Sequence, residues 1–340
     1  YDRGKQLTLV RNSYWDAKTD PIRWNYPDKF VVKMGADQNV IEQSLISDSG
    51  EAKTSVSTDT NIVTNLSKVL GKPAYKNRLF SFLSPYNRYY AINVDTVKDV
   101  NVRKAIQCAF DFKTVLAAAG GTNSGQYANS TIPPSIKTGY RNFTVCERDV
   151  IKNPEAQIAK AKAYLAKASD KKTTLRLAYR DKGVEPLRAA AVEQALKAAG
   201  FTVIMDKYPG SGYYSTVSKR GGDKEPDIVQ TSWAFDWSAA SGIVYALFDA
   251  RTMTSTDAKS NYSRGNFADL QKLFAQADQS APAAQEKILG DIEQKLIQDK
   301  AAHISIYFER SHMMSGSKLG GVQIDNGWGD LSVIGAYVKK

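Results

Sequence analysis

The alternation of short strand and helix patterns between residues 173 and 232 constrains this chain more than any other feature. Leu175 to Tyr179 alternates with period two, Pro186 to Ala199 has helical composition and is stopped by Gly200, and Phe201 to Met205 reads as a second strand. Tyr213 to Lys219 follows as a short helix and Asp227 to Thr231 as a third strand. A β-α-β-α-β order calls for parallel neighbours joined by right-handed crossovers, with helices covering the sheet faces. The expected fold class is α/β, with a mixed, mainly parallel sheet flanked by helices. Ligands on such sheets bind beyond the carboxyl ends of the strands.

The flanking segments are read in the same way. Thr8 and Val10, then Phe30, Val31, Val32 and Met34, are strand-like on either side of a Trp- and Pro-containing loop. Gly71, Lys72 and Pro73 end that section, and Leu79 to Val94 is extended and aromatic. Asp99 is placed to cap a helix over about 100–118, with Val102, Ile106, Ala109 and Phe110 on one face and Gly120-Gly121 at its end. Further helices are expected over 154–168, 267–277 and 283–300. His303 to Phe308 reads as a strong late strand, followed by a Gly-rich tail. The 340 residues are enough for two lobes, each with its own core.

Composition removes several function classes. Lys and Arg number 46 against 35 Asp and Glu, a net charge of +11, but the basic residues are scattered and the longest runs are pairs such as Lys171-Lys172 and Lys339-Lys340. A basic stripe with interleaved aromatics is missing, so nucleic acid is not an expected partner. Two His and two Cys leave almost nothing from which to build a Cys/His metal site, and neither metal nor cofactor is expected. His303 reads as a packed or hydrogen-bonded histidine, and His312 beside Met313 and Met314 as packing. No nucleophile elbow, dinucleotide fingerprint or phosphate loop occurs, which argues against an enzyme. Cys108 and Cys146, 38 positions apart, are a disulfide candidate that fits an exported protein; two unpaired, buried thiols are the alternative. Asn65, Asn129, Asn142 and Asn261 fit the glycosylation pattern.

One segment points to binding. Ser232-Trp233-Ala234-Phe235-Asp236-Trp237 places two indoles and a carboxylate immediately beyond the last strand of the alternating block. An Asp between aromatic walls is partly desolvated and calls for a cation or several donors, and a ligand ammonium meets that need while apolar ligand parts lie on the rings. The competing reading has Asp236 capping a local turn with both Trp in the core.

Four segments, in order, resemble the extracellular solute-binding proteins of ABC transporters, peptide and nickel class. Leu9-Val10-Arg11-Asn12-Ser13-Tyr14-Trp15 resembles that family's LVRNPxYW segment. Tyr89 to Asn93 followed by Val97 to Asp111 is similar to its FN…PFxDxRVRxALxxAID signature. Ser232 to Trp237 resembles GWxADYxDP, and Ile304 to Tyr307 the late xxPIYY strand. The chain departs from the pattern at Phe235, where a small residue is usual, and at Ser238-Ala239-Ala240, where no Pro follows Trp237.

The resemblance implies a periplasmic-binding-protein-like type II fold and a monomeric, non-enzymatic receptor. Such a receptor carries a peptide or other amine-bearing small-molecule solute to membrane permease subunits, exported and anchored through a segment outside this chain. It implies that this is the C-terminal part of a longer protein, with 1–84 part of a first lobe, 85–303 the second lobe and 304–340 the return segment. It also implies that Asp236 takes the ligand's ammonium, Trp233 is a wall, Phe235 and Trp237 flank it, Tyr89 and Asn93 lie at the first lobe crossing and Tyr307 at the return crossing. A cell-envelope hydrolase with paired carboxylates and a basic adhesion or nucleic-acid-binding protein are the competing functions.

Overall fold

The computed structural model describes residues 1–58, 60–325 and 327–340. The chain forms two compact units, one of residues 1–84 with 310–340 and one of residues 85–309.

In the first unit β1 (Gln6–Val10) pairs antiparallel with β2 (Lys29–Lys33), Thr8 opposite Val31. Asp37 then caps α1 (Gln38–Ser47), its carboxylate accepting the Asn39 and Val40 amides at 2.9 and 3.2 Å. The helix buries Leu45 with Ile62, Val69 and Met314, and α2 (Leu66–Val69) packs on the same cluster. Glu42 is fully buried; burial raises its carboxyl pKa, but N–H donors from Val63 and Asn65 outweigh that and hold it below the usual range.

The second unit is built on one sheet. β3 (Leu79–Ile92) enters it from the first unit. α3 (Val100–Ala109) and α4 (Phe112–Ala118) come next, then β4 (Gly125–Tyr127) and α5 (Ile158–Lys167). The alternating block becomes β5 (Thr174–Asp181), α6 (Glu185–Ala198), β6 (Thr202–Pro209), α7 (Tyr213–Val217) and β7 (Ile228–Trp233). α8 (Ser241–Phe248), α9 (Ala268–Asp278), α10 (Pro282–Gln298) and β8 (His303–Met314), which belongs to this unit as far as Glu309, complete it. The tail carries β9 (Leu319–Gly320), β10 (Gln323–Asp325), β11 (Asp330–Ser332) and β12 (Tyr337–Val338) in short antiparallel pairs.

Among the described residues the main sheet runs β4-β8-β3-β7-β5-β6. It is mixed: β5 is parallel to both β6 and β7, while β3 runs antiparallel to β7 and β4 to β8. β5 is therefore central in the alternating block, flanked by the two strands that follow it in sequence. Alternate residues of β3 and β7 feed two cores. Tyr90, Ile92 and Ile228 join α3, α4 and α6 in one, and Tyr89, Ala91 and Val229 join α8, α9 and α10 in the other.

Two helices differ from expectation. The single helix read over 100–118 breaks at Phe110, which is extended (φ −60°, ψ 123°), because Asp111 caps a new start by accepting the Thr114 amide at 2.8 Å. Arg148 holds the break by donating to the Phe110 carbonyl at 2.9 Å. The helix read from 154 starts at Ile158, since 154–157 is tied to the two preceding helices by backbone hydrogen bonds: Phe112 N–H donates to Pro154 O and Gln157 N–H to Cys108 O, both at 2.9 Å. Cys108 and Cys146 form a disulfide. Of the four glycosylation-pattern asparagines, Asn65, Asn129 and Asn261 are buried and only Asn142 is exposed.

Candidate ligand site at the carboxyl edge of the sheet

The parallel strands β5, β6 and β7 end together at Asp181, Pro209 and Trp233, with Asn87 of β3 paired opposite Trp233. The chain leaves β7 into a tight loop, 234–240, that leads into α8. The loop is closed by its own backbone. The Gly242 carbonyl accepts the Asp236 amide at 3.2 Å and the Trp233 indole N–H at 3.4 Å, and Ala239 N–H donates to Trp237 O at 2.7 Å. A side chain on Gly242 would sit 2.6 Å from the Trp237 carbonyl, so only glycine allows this closure.

Within the loop the three aromatics separate. Trp233 is half-buried against the core that holds Tyr89, and Phe235 turns into that core at 6% exposure. Trp237 is 56% exposed, its indole N–H donating to Ser241 Oγ at 2.9 Å. Asp236 is exposed rather than desolvated between the rings, and among the described residues no hydrogen bond or ion pair reaches its carboxylate. The competing turn-cap reading fails on the same point, because the Asp236 side chain caps nothing.

The remaining sequence candidates are not brought to this carboxylate. Tyr89 is a core residue, 2% exposed, with its ring stacked on His303 at 4.4 Å. Asn93 lies at the opposite edge. Because β3 is antiparallel to β7, Ile92 pairs with Ile228 at the start of β7, about 17 Å of strand away from the Asn87–Trp233 pair. The Asn93 side-chain amide donates to the Glu225 carboxylate and the Pro226 carbonyl, at 3.2 and 3.0 Å. Tyr307 packs in the other core, where its hydroxyl accepts from Arg188 at 3.1 Å.

A charged network at the same edge escaped the sequence reading. Arg88 of β3 forks onto Glu309 of β8 at 2.9 and 2.5 Å and approaches Glu185 at 3.9 Å. Arg180 of β5 also bonds Glu185, at 3.0 Å through Nε, and lies 5.4 Å over the Tyr214 ring. Arg188 of α6, 3% exposed, stands 3.6 Å from Glu185. Burial lowers the Arg88 pKa, but the carboxylates of Glu309 and Glu185 hold it above its usual value. Three guanidiniums share two carboxylates. The five residues lie on four different elements, and no local pattern in the chain announces them.

His303 and Thr131 form a separate buried pair, and His312 Nδ1 is 2.8 Å from Ser81 Oγ. No cluster of three or more His, Cys, Asp or Glu able to hold a metal occurs among the described residues.

Comparison with known proteins agrees with this architecture. The family model "Bacterial extracellular solute-binding proteins, family 5 Middle" matches residues 1–255. No curated protein matches the sequence. Among solved structures, the clavulanic acid biosynthesis oligopeptide binding protein 2 superposes with a TM-score of 0.87 at 19% identity, over 100% of this chain and 62% of its own. The oligopeptide-binding protein AppA from Bacillus subtilis, solved with a nonapeptide, gives 0.72 at 19%, over 100% and 65%. A dipeptide binding protein from a Pseudoalteromonas species, solved with Met-Leu, gives 0.72 at 15%, over 100% and 63%. The chain thus spans less than two thirds of the length of each of these structures, and its fold is the type II periplasmic-binding-protein-like one they share. The chain belongs to the bacterial extracellular solute-binding proteins of family 5.

Proposed function

We propose that this protein is the solute receptor of an ABC importer, taking a peptide or other amine-bearing organic solute and delivering it to membrane permeases. Residues 85–309 act as one lobe of that receptor, and 1–84 with 310–340 contribute to the other. The observation that carries the reading is the unengaged Asp236 carboxylate, held on a closed loop beside Trp233 and the exposed Trp237 at the carboxyl edge of the sheet. A ligand ammonium pairs with that carboxylate, and apolar ligand atoms cover the indoles. The three-to-two excess of guanidinium over carboxylate nearby suits a ligand that also carries a carboxylate. A disulfide fits an oxidising, exported setting.

The test uses a randomised tripeptide pool, with free or acetylated N-termini, and reads the retained fraction by mass spectrometry. The protein should retain the free-amine pool and discriminate against the acetylated one. Asp236→Ala should lower retention about 30-fold or more, the cost of leaving a ligand charge unpaired being about 2 to 5 kcal/mol. Equal retention by Asp236→Ala and the parent protein, with both folded by circular dichroism, would sink the assignment.

A further inference from the structure

The loop that presents Asp236 leads into α8, a helix whose start lacks a cap of its own. Its N-cap residue is Ala240, which has no side-chain acceptor to satisfy the first amides. The acceptor comes from another helix. Glu286, in the second turn of α10, takes the Ala240 amide at 2.8 Å through Oε2 and the Ser241 amide at 3.4 Å through Oε1. A carboxylate at a helix start also complements the helix dipole.

The register that puts Glu286 there is set one turn further along. Gly290 lies directly against the Gly139 carbonyl, so close that a Cβ on Gly290 would overlap it. A Cβ on Gly139 would in turn sit 2.7 Å from Ala240 Cβ and 3.4 Å from Glu286 Oε2. Two glycines therefore let α10 approach, and Arg141 secures it by donating to Lys287 O at 3.3 Å and facing Asp291 at 3.6 Å. With Ala240 and Ser241 fixed, Gly242 is fixed, and its carbonyl holds the Asp236 amide and the Trp233 indole.

We propose that Glu286 is the positioning residue of the ligand site, the group that holds the 234–240 loop at the start of α8 so that the Asp236 carboxylate meets a ligand ammonium. This rests on the reading of Asp236 given above. Glu286 itself touches no ligand; it acts through the amides of Ala240 and Ser241.

The experiment compares Glu286→Ala, Glu286→Gln and the milder Glu286→Asp in the full protein, by amide hydrogen exchange and by retention of the same free-amine and acetylated tripeptide pools. Glu286→Ala should speed exchange at Ala240, Ser241 and Asp236 at least tenfold and reduce the free-amine preference at least tenfold. Glu286→Gln keeps an acceptor for the closer Ala240 amide but turns an NH2 group toward the Ser241 amide, and should fall between the parent and Glu286→Ala on both readouts. If Glu286→Ala does not fold, Glu286→Asp, one methylene short, carries the test with smaller shifts in the same direction. A merely structural role would lower thermal stability and speed exchange along α8 and α10 while leaving the preference for free amines unchanged, and that result overturns the inference. Should Asp236→Ala reduce retention while every Glu286 variant matches the parent, only the Glu286 inference falls. Where Asp236→Ala changes nothing, or the parent retains neither pool, both fall together.

Discussion

Reducing the Cys108–Cys146 disulfide is expected to lower the unfolding free energy of the 85–309 unit by about 4 kcal/mol. The bridge closes a loop of 38 residues, and removing that closure returns chain entropy to the unfolded state on this scale. For a unit of this size the melting temperature should fall by about 10 °C. Geometry gives the bond a native-state role as well. Cys108 lies in the last turn of α3, while Phe143, Val145 and Val150 around Cys146 are buried in the same core, so the bridge clamps an irregular segment over that core. Arg148 adds a hydrogen bond to the Phe110 carbonyl beside it. Calorimetry with and without reductant, with mass spectrometry to confirm that both thiols are free, decides the matter. An unchanged melting temperature for the reduced protein would refute the expectation.

Stability should also fall steeply with acid because of His303. The residue is 1% exposed, stacked on Tyr89 at 4.4 Å and edge-on to Phe248 at 5.1 Å, with Nε2 2.7 Å from Thr131 Oγ1 and 3.3 Å from Ser305 Oγ. Burial pushes its pKa from 6.5 down to about 3, so the native state keeps the ring neutral where the unfolded chain has already bound a proton. The contribution of His303 is therefore complete above pH 6.5 and is lost as pH falls from 6.5 toward 3, at about 1.4 kcal/mol per pH unit. The carboxyl group facing this pocket works in the opposite sense. Glu293, fully buried beyond Thr131 and accepting the Ser130 hydroxyl at 2.7 Å, is raised above 4.5 by burial, and its share declines as pH rises through that region. Comparing the protein with His303→Gln cancels the Glu293 background. Between pH 6.5 and 4 the parent should lose about 3 kcal/mol more than the variant in urea unfolding. Parallel pH profiles would remove His303 from the account.

What could be read from the chain and what could not divide along a physical line. The β5–α6–β6–α7–β7 block was legible because each element carries its own period, and Gly200 supplies a stop that needs no tertiary partner. Asp99 and the pairing strands around Thr8 and Val31 were legible for the same reason. The break at Phe110 was not, because a continuous apolar stripe hides a second cap at Asp111 that takes effect once Arg148 arrives from 38 residues away. α8 was missed altogether. Its start has no capping residue, and the acceptor that completes it, Glu286, lies 46 residues downstream of Ala240.

The candidate site divides in the same way. Trp233, Asp236 and Trp237 are neighbours in sequence, so their proximity needed no fold, and the end of a strand in an alternating block already located them at the carboxyl edge of the sheet. The fold decided which of them face solvent: Phe235 turns inward and Asp236 stays exposed because the Gly242 carbonyl closes the loop beneath them. It also decided that Asn93 lies at the far edge, since an antiparallel β3 carries Asn87 rather than Asn93 to Trp233. The Arg88, Arg180, Arg188, Glu185 and Glu309 network, drawn from four elements, exists only once sheet order is set. Local periodicity, caps and contiguous motifs act over a few residues and are written in the chain itself. Strand direction, helix register and the charge pairs that depend on them are settled by packing between distant segments, and only the tertiary structure determines them.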